Sequence, residues 1–174
     1  MSDQDKQRHS ATLVKAPNSL REIKVSKILV AVDGSDASMN ASDYAIFLAR
    51  STKSQLIAMH VVMPGEAYDY IEDLLLENLD TVTTGDSIGQ TIRRDAEKWF
   101  TNIKQKSDTS EIQVRTGIVV STKGIGETIA DYARREGVGL IVMGTKGVGF
   151  RERMHGSTSY YVIEHAMCPV LLVR

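Results

Sequence analysis

Residues 27–36 read Lys-Ile-Leu-Val-Ala-Val-Asp-Gly-Ser-Asp. The first six are largely apolar and include β-branched side chains, which is typical of a buried strand. The four polar residues that follow suit a turn and a helix N-cap, because their side chains can accept hydrogen bonds from main-chain N–H groups. Apolar residues then recur three or four positions apart from Ala41 to about Ser51. We therefore predict a strand that leads directly into a helix.

The rest of the chain continues this alternation of strand and helix patterns. Further strands are predicted at 55–63, 111–120, 138–143 and 169–173, and further helices at 71–82, 88–103, 124–136 and 157–166. The strand at 55–63 is apolar on both faces, as parallel strands covered by helices are. These patterns predict an α/β fold with an open, doubly wound sheet. Its ligand is expected beyond the carboxyl ends of the strands.

Two segments fall outside this regular pattern. Residues 1–25 are largely polar and show no regular spacing of apolar residues. We therefore expect a flexible N-terminal arm before a domain at 26–174. Residues from about 64 to 86 predict an inserted helix, which Gly85-Asp86 should separate from the next helix. Ser87 and Gln90 have the spacing of a capping box for that next helix.

Composition excludes several broad classes of partner. The 174 residues, 42% of them hydrophobic, suit one domain with one core. Lys and Arg number 21 against 22 Asp and Glu, so the net charge of -1 favours neither nucleic acid nor an anionic membrane as a partner. No apolar run could span a bilayer or serve as a signal peptide, and the single cysteine, Cys168, cannot form an internal disulfide. We expect a cytoplasmic protein.

The segment that carries chemistry runs from Met143 to Ser159 and reads MGTKGVGFRERMHGSTS. It joins a predicted strand to a predicted helix. A helix N-terminus offers free N–H groups and a positive dipole end, and Gly156 allows an anion to approach it. Ser157 or Thr158 could donate a hydroxyl to phosphate, while Gly144 and Gly147 allow the loop to form an anion-binding nest.

Known phosphate-binding motifs do not fit this segment. A Walker A loop would require Gly-Lys-Ser/Thr where the chain has Gly149-Phe150-Arg151. The dinucleotide fingerprint fails as well, because Glu152 stands where its third glycine belongs. We find no spacing of metal ligands and assign no catalytic residue.

The chain nevertheless resembles the universal stress proteins over about residues 26–174. The resemblance rests on residues 27–35, on His60-Val61, on Met143 to Gly147 with Gly156-Ser157, and on Cys168 to Val173. It implies an open five-stranded parallel sheet with helices on both faces, of the adenine nucleotide alpha hydrolase-like kind, in the order 3-2-1-4-5. It also implies bound ATP or AMP, with Mg²⁺ held through the phosphates, and a homodimer that pairs through the last strand, Val170 to Val173.

Carried over by position, the resemblance also implies the binding residues. Ala31, Asp33, Val61 and Met143 would surround adenosine, with Val61 contributing its backbone. A second set of residues would bind the ribose and phosphates. It comprises Gly144, Thr145, Lys146, Gly147, Gly156, Ser157 and Thr158. Gly147 and Gly156 enclose eight residues, one fewer than is usual in the family's nucleotide-binding members.

Other interpretations of these residues stay open at this point. Asp33 could simply begin the turn into the first helix, and Lys146 could be a solvated loop residue. His60 is expected to be a hydrogen-bonded core histidine and not a catalytic base. Trp99 is expected to pack in the core. For the whole chain, the first hypothesis is a nucleotide-binding regulatory dimer in stress response. The alternatives are a nucleotide-independent dimeric adaptor and a slow ATPase.

Overall fold

The computed structural model describes residues 24–63, 85–108, 112–145 and 157–174. In these ranges, the elements in chain order are β1 (Lys27–Ala31), α1 (Asp36–Thr52), β2 (Gln55–Val62), α2 (Gly85–Asp108), β3 (Val114–Val120), α3 (Ile125–Glu136), β4 (Leu140–Gly144), α4 (Ser157–His165) and β5 (Val170–Val173).

The strands form one parallel sheet in the order β3-β2-β1-β4-β5. This arrangement confirms the predicted α/β fold and its strand order. From β1 the chain builds the sheet first toward β3 and then, after crossing back, toward β5. The direction therefore changes between β1 and β4, and the carboxyl ends of strands at such a switch point border the usual ligand crevice of open α/β sheets.

Each face of the sheet buries a hydrophobic core under helices. On one face, Ile28 and Val30 of β1 pack with Ala45 of α1 and Phe100 of α2. On the other face, Leu29 of β1 lies in a separate cluster. The helical members of that cluster include Ile129 and Ala133 of α3 and Val162 of α4. Because β1 is covered on both faces, nearly every one of its residues has to be apolar.

The ends of two helices match their sequence signals. Ser35 is the N-cap of α1, and its Oγ accepts a hydrogen bond from the Ser38 N–H at 3.2 Å. Gly137 ends α3 in the left-handed conformation with φ of 64°, which is common for a glycine directly after a helix. Local residue preferences therefore determine these two boundaries.

The predicted start of α2 is wrong. The helix already includes Gly85, so Ser87 lies inside it and is not the N-cap of a capping box. Gly85 and Asp86 lie in the first turn of α2 and do not interrupt it. The helix as a whole is stabilised by its apolar face, because Ala96, Phe100 and Ile103 are buried against the sheet.

Two predicted segments lie mainly outside the described residues. These are the N-terminal arm, apart from residues 24 and 25, and the inserted helix up to residue 84. Residues 85 and 86, assigned to the insertion, belong to α2. In the described part of the chain, no helix combines the length and the apolar character needed to cross a membrane.

Candidate functional site

The strand register brings residues from three neighbouring strands to one edge of the sheet. Ala31, the last residue of β1, pairs with Met59 of β2 and with Met143 of β4. Val61 lies two positions beyond Met59 on β2. Ala31, Val61 and Met143 share the cluster that faces α3 and α4, where Val61 and Met143 are 6% and 5% exposed. Three residues predicted to surround adenosine therefore meet at the carboxyl edge.

Asp33 follows β1 and organises the turn into α1. Its Oδ1 accepts hydrogen bonds from the Ser35 N–H at 3.1 Å and from the Ser35 hydroxyl at 2.6 Å. The Asp33 N–H in turn donates to Ser38 Oγ at 3.3 Å. The residue thus performs the turn-forming role that the sequence left open. A carboxylate can accept several hydrogen bonds at once, so the turn-forming role and a ligand-binding role are chemically compatible.

Gly144 and Thr145, at the end of β4, are both committed to packing or pairing. A side chain at Gly144 would come within 2.9 Å of the Ser38 nitrogen and 3.0 Å of Ala37 Cβ. The glycine is therefore required for the close approach of β4 to α1, whether or not a ligand binds. The Thr145 N–H donates to the Val173 carbonyl at 2.9 Å, so only its hydroxyl and carbonyl remain for other contacts.

The start of α4 packs directly on α3. Ser157 is the first residue of α4. A side chain at Gly126 of α3 would lie 2.9 Å from the Thr158 carbonyl oxygen, which shows how closely the two helices approach. The remaining predicted phosphate-binding residues, Lys146, Gly147 and Gly156, lie outside the described residues.

Sequence reasoning assigned His60 and Trp99 to the core and missed that they border the Asp33 turn. His60 Nδ1 lies 2.8 Å from the Val32 carbonyl oxygen, which confirms the predicted hydrogen-bonded histidine. Trp99 forms an edge-to-face contact with His60, their ring centroids 5.1 Å apart. Trp99 also packs against Gly34. The only sequence signal for this arrangement was the Asp33-Gly34 pair, which predicted a turn but not its partners.

One charged cluster near the carboxyl edge, between Lys123 and two acidic residues of α3, is paired internally. Lys123, just after β3, forms ion pairs with Asp131 at 3.0 Å and Glu127 at 3.3 Å. These acids raise the pKa of Lys123, and Lys123 lowers the pKa of Asp131. At the opposite edge, hydrogen bonds from Lys27 and Arg115 lower the pKa of the Glu136 carboxyl.

Neither the thiol nor the acidic residues indicate redox or metal chemistry. Burial raises the pKa of the Cys168 thiol, which disfavours the reactive thiolate, as expected for a packing cysteine. Within the described ranges, no group of three or more His, Cys, Asp or Glu side chains could hold a metal ion. The site thus consists of an apolar wall, a carboxylate turn and a helix start.

The sequence model described as "Universal stress protein family" matches residues 24–174. The chain belongs to this family. Among curated members, this universal stress protein is 32% identical over 152 residues to YxiE of Bacillus subtilis, an alignment that covers 86% of the chain and 99% of YxiE.

Solved structures of the family show the same fold. UspA from Lactobacillus plantarum matches with a TM-score of 0.66 at 26% identity, covering 87% of the chain and 99% of UspA. A universal stress protein in complex with cAMP matches with a TM-score of 0.58 at 18% identity, covering 87% and 98%. One from Archaeoglobus fulgidus in complex with dAMP matches with a TM-score of 0.58 at 20% identity, covering 87% and 99%.

Proposed function

We propose that this universal stress protein binds an adenine nucleotide, ATP or AMP, at the carboxyl edge of its sheet and acts as a dimeric regulatory module in the stress response. The observation that carries the proposal is the convergence of Ala31, Val61 and Met143 beside the Asp33 turn. The family members in complex with cAMP and dAMP support an adenine nucleotide as the ligand class. We also propose a cytoplasmic location, which agrees with the single cysteine.

The chemistry of the described residues fits adenosine. Ala31 is small, and the backbone at Val61 offers polar groups beside an otherwise apolar wall, which is the usual composition of a nucleoside pocket. The Asp33 carboxylate can accept hydrogen bonds from ribose hydroxyls. Such bonds to a charged acceptor are worth about 1.5–3 kcal/mol.

The phosphates would bind between β4 and α4. Ser157 and Thr158 stand at the start of α4, where unpaired main-chain N–H groups attract anions. The Thr145 hydroxyl is the group of that residue available to a ligand, because its N–H pairs with Val173. We propose that Gly144, Lys146, Gly147 and Gly156 contribute to the same phosphate site. A bound Mg²⁺ would be held through the phosphates.

A second candidate is a nucleotide-independent dimeric adaptor. Two observations favour it, because Asp33 and Gly144 each have a structural role that needs no ligand. Retention of these residues would then reflect the turn and the packing of β4 on α1 alone. The two candidates differ directly in whether the protein binds nucleotide.

Titration calorimetry of nucleotide-stripped protein with ATP and AMP tests the proposal. We expect binding to the wild type, and affinity at least about tenfold weaker for Asp33→Asn, because a charged acceptor is replaced by a neutral one. Asp36→Asn is the matched control, because Asp36 is an exposed residue in the first turn of α1. Failure of the wild type to bind either nucleotide at millimolar concentration would favour the adaptor.

Release of phosphate from ATP with Mg²⁺ can be measured on the same samples. Turnover that is lost in Ser157→Ala would indicate the slow ATPase instead of a purely regulatory module. The proposed dimer is supported by the position of β5 at the edge of the sheet and by exposed apolar side chains in the last helix and strand and in the turn between them. These are Tyr160 and Ile163 in α4, Met167 in the turn and Leu172 in β5.

A further inference from the structure

We propose that His60 and Trp99 are positioning residues of the nucleotide site, which hold the turn that carries Asp33. The inference rests on the proposed function above. We call the two side chains the His60–Trp99 brace. They come from β2 and α2 and act on Val32 and Gly34, the two neighbours of Asp33 in the chain.

The first half of the brace fixes Val32, the residue before Asp33. The Val32 N–H donates to the Met59 carbonyl at 2.9 Å. Its carbonyl oxygen lies 2.8 Å from His60 Nδ1, and because a carbonyl only accepts, Nδ1 carries the proton in this bond. Both main-chain polar groups of Val32 are thus bonded to β2. The chain leaves β1 in one defined direction.

The second half of the brace fixes Gly34, the residue after Asp33. Gly34 has φ of 81°, and a side chain on it would overlap the indole carbons of Trp99 and lie 2.8 Å from Nε1. The indole is held in turn by its edge-to-face contact with His60, at an interplanar angle of 82°. Aromatic pairs in this geometry attract each other beyond the area they bury.

The brace therefore links α2 to the carboxylate of Asp33. A movement of Trp99 changes the contact at Gly34, and loss of the His60 donor releases Val32. Either change shifts the residue between them, whose Oδ1 receives both hydrogen bonds from Ser35. Nucleotide affinity should consequently depend on two side chains that act through Asp33 and not by touching the ligand.

A double-mutant cycle between His60→Leu and Asp33→Asn tests this coupling by titration calorimetry with ATP. In the wild-type background we expect His60→Leu to weaken binding about five- to tenfold. In the Asp33→Asn background, His60→Leu should weaken ATP binding less than about twofold, because the side chain that His60 positions is already altered. His60→Asn should restore part of the affinity, since its amide nitrogen can donate from nearly the position of Nδ1 but its side chain lacks the ring that contacts Trp99.

A matched control separates positioning from lost stability. Ile103→Val removes one methylene from a fully buried residue of α2 and leaves the turn untouched. It should lower the melting temperature without changing the Kd for ATP. Two outcomes would overturn the proposal. One is wild-type affinity for ATP in folded His60→Leu and Trp99→Leu. The other is an effect of His60→Leu on affinity that is as large in the Asp33→Asn background as in the wild type.

Amide hydrogen exchange tests the brace independently of any ligand. We expect the Asp33 and Ser35 amides to exchange more than about tenfold faster in His60→Leu than in the wild type, but not in Ile103→Val. Equal rates would overturn the brace. Failure of the wild type to bind nucleotide would instead overturn the proposed function. The exchange rates alone would then decide whether His60 holds the Asp33 turn.

Discussion

Gly34 combines a backbone constraint with a packing constraint at one residue. Its φ of 81° lies in the region that residues with a Cβ rarely adopt, and the indole of Trp99 occupies the space of a side chain. The backbone constraint alone costs about 1–2 kcal/mol. Overpacking adds about 1–3 kcal/mol. Because Trp99 is a large ring in contact with His60, it has little room to move away.

We therefore expect Gly34→Ala to lower the free energy of unfolding by about 2–5 kcal/mol. Gly137→Ala is the matched control. Gly137 has a similar φ of 64°, but no atom lies within 4 Å of the added carbon, so only the backbone cost of about 1–2 kcal/mol should remain. Urea denaturation of both variants measures the difference. Equal losses would show that Trp99 does not restrict Gly34.

At the scale of elements, the contact between α3 and α4 depends on another glycine. Alanine in place of a glycine inside a helix normally stabilises it by about 1 kcal/mol. At Gly126, however, the added carbon would lie 2.9 Å from both the Thr158 carbonyl oxygen and Tyr161 Cβ. These atoms belong to the body of α4 and cannot rotate away, so the overpacking cost should exceed the helix gain.

Gly126→Ala should accordingly destabilise the protein by about 1–2 kcal/mol and displace the start of α4. If α4 holds the phosphates, affinity for ATP should fall more than affinity for adenosine. Gly117→Ala in β3 is the control, because no atom lies within 4 Å of its added carbon. Thermal unfolding measures the change in stability, and calorimetry measures the affinities for ATP and adenosine. A stabilised Gly126→Ala with unchanged affinities would contradict the close packing of the helices.

The sequence allowed accurate prediction where local chemistry governs an element. Residues 27–36 predicted β1, the turn and an N-cap among residues 33–36, because each depends on side chains next to each other in the chain, and the structure assigns the cap to Ser35. The Gly85-Asp86 pair was wrongly predicted to separate two helices, because both residues belong to α2. Strand order followed from the family resemblance, since apolar strands do not encode their neighbours.

The same distinction applies to the site. The family resemblance implied Asp33 as a binding residue, and its position after a strand predicted a turn former. The two roles were stated as alternatives. The contact between His60 and Trp99 could not be predicted, because it depends on how α2 packs across the end of β2. Gly144 appeared to be a ligand-binding glycine, yet its approach to Ala37 and Ser38 emerges only in three dimensions.

At the scale of the whole molecule, the direction of the main-chain groups of β5 identifies its pairing edge. Pro169 and Val173 direct their carbonyl oxygens at β4, accepting from Ile141 at 3.0 Å and Thr145 at 2.9 Å. Main-chain groups alternate between the two edges along a strand. The N–H of Leu172 therefore points to the outer edge, which in the described part of the chain has no strand beside it.

If the dimer forms by antiparallel pairing of two β5 strands, Leu172→Pro should convert it to a monomer, because proline removes that N–H. An edge strand tolerates proline where the lost N–H does not serve its own sheet, so the fold should persist. Leu172→Ala retains the N–H and should remain dimeric, with weaker association because Leu172 is 36% exposed and would lose an apolar contact. Light scattering after size exclusion gives the mass of each variant, and circular dichroism checks the fold. A folded Leu172→Pro that is still dimeric would place the interface on another surface.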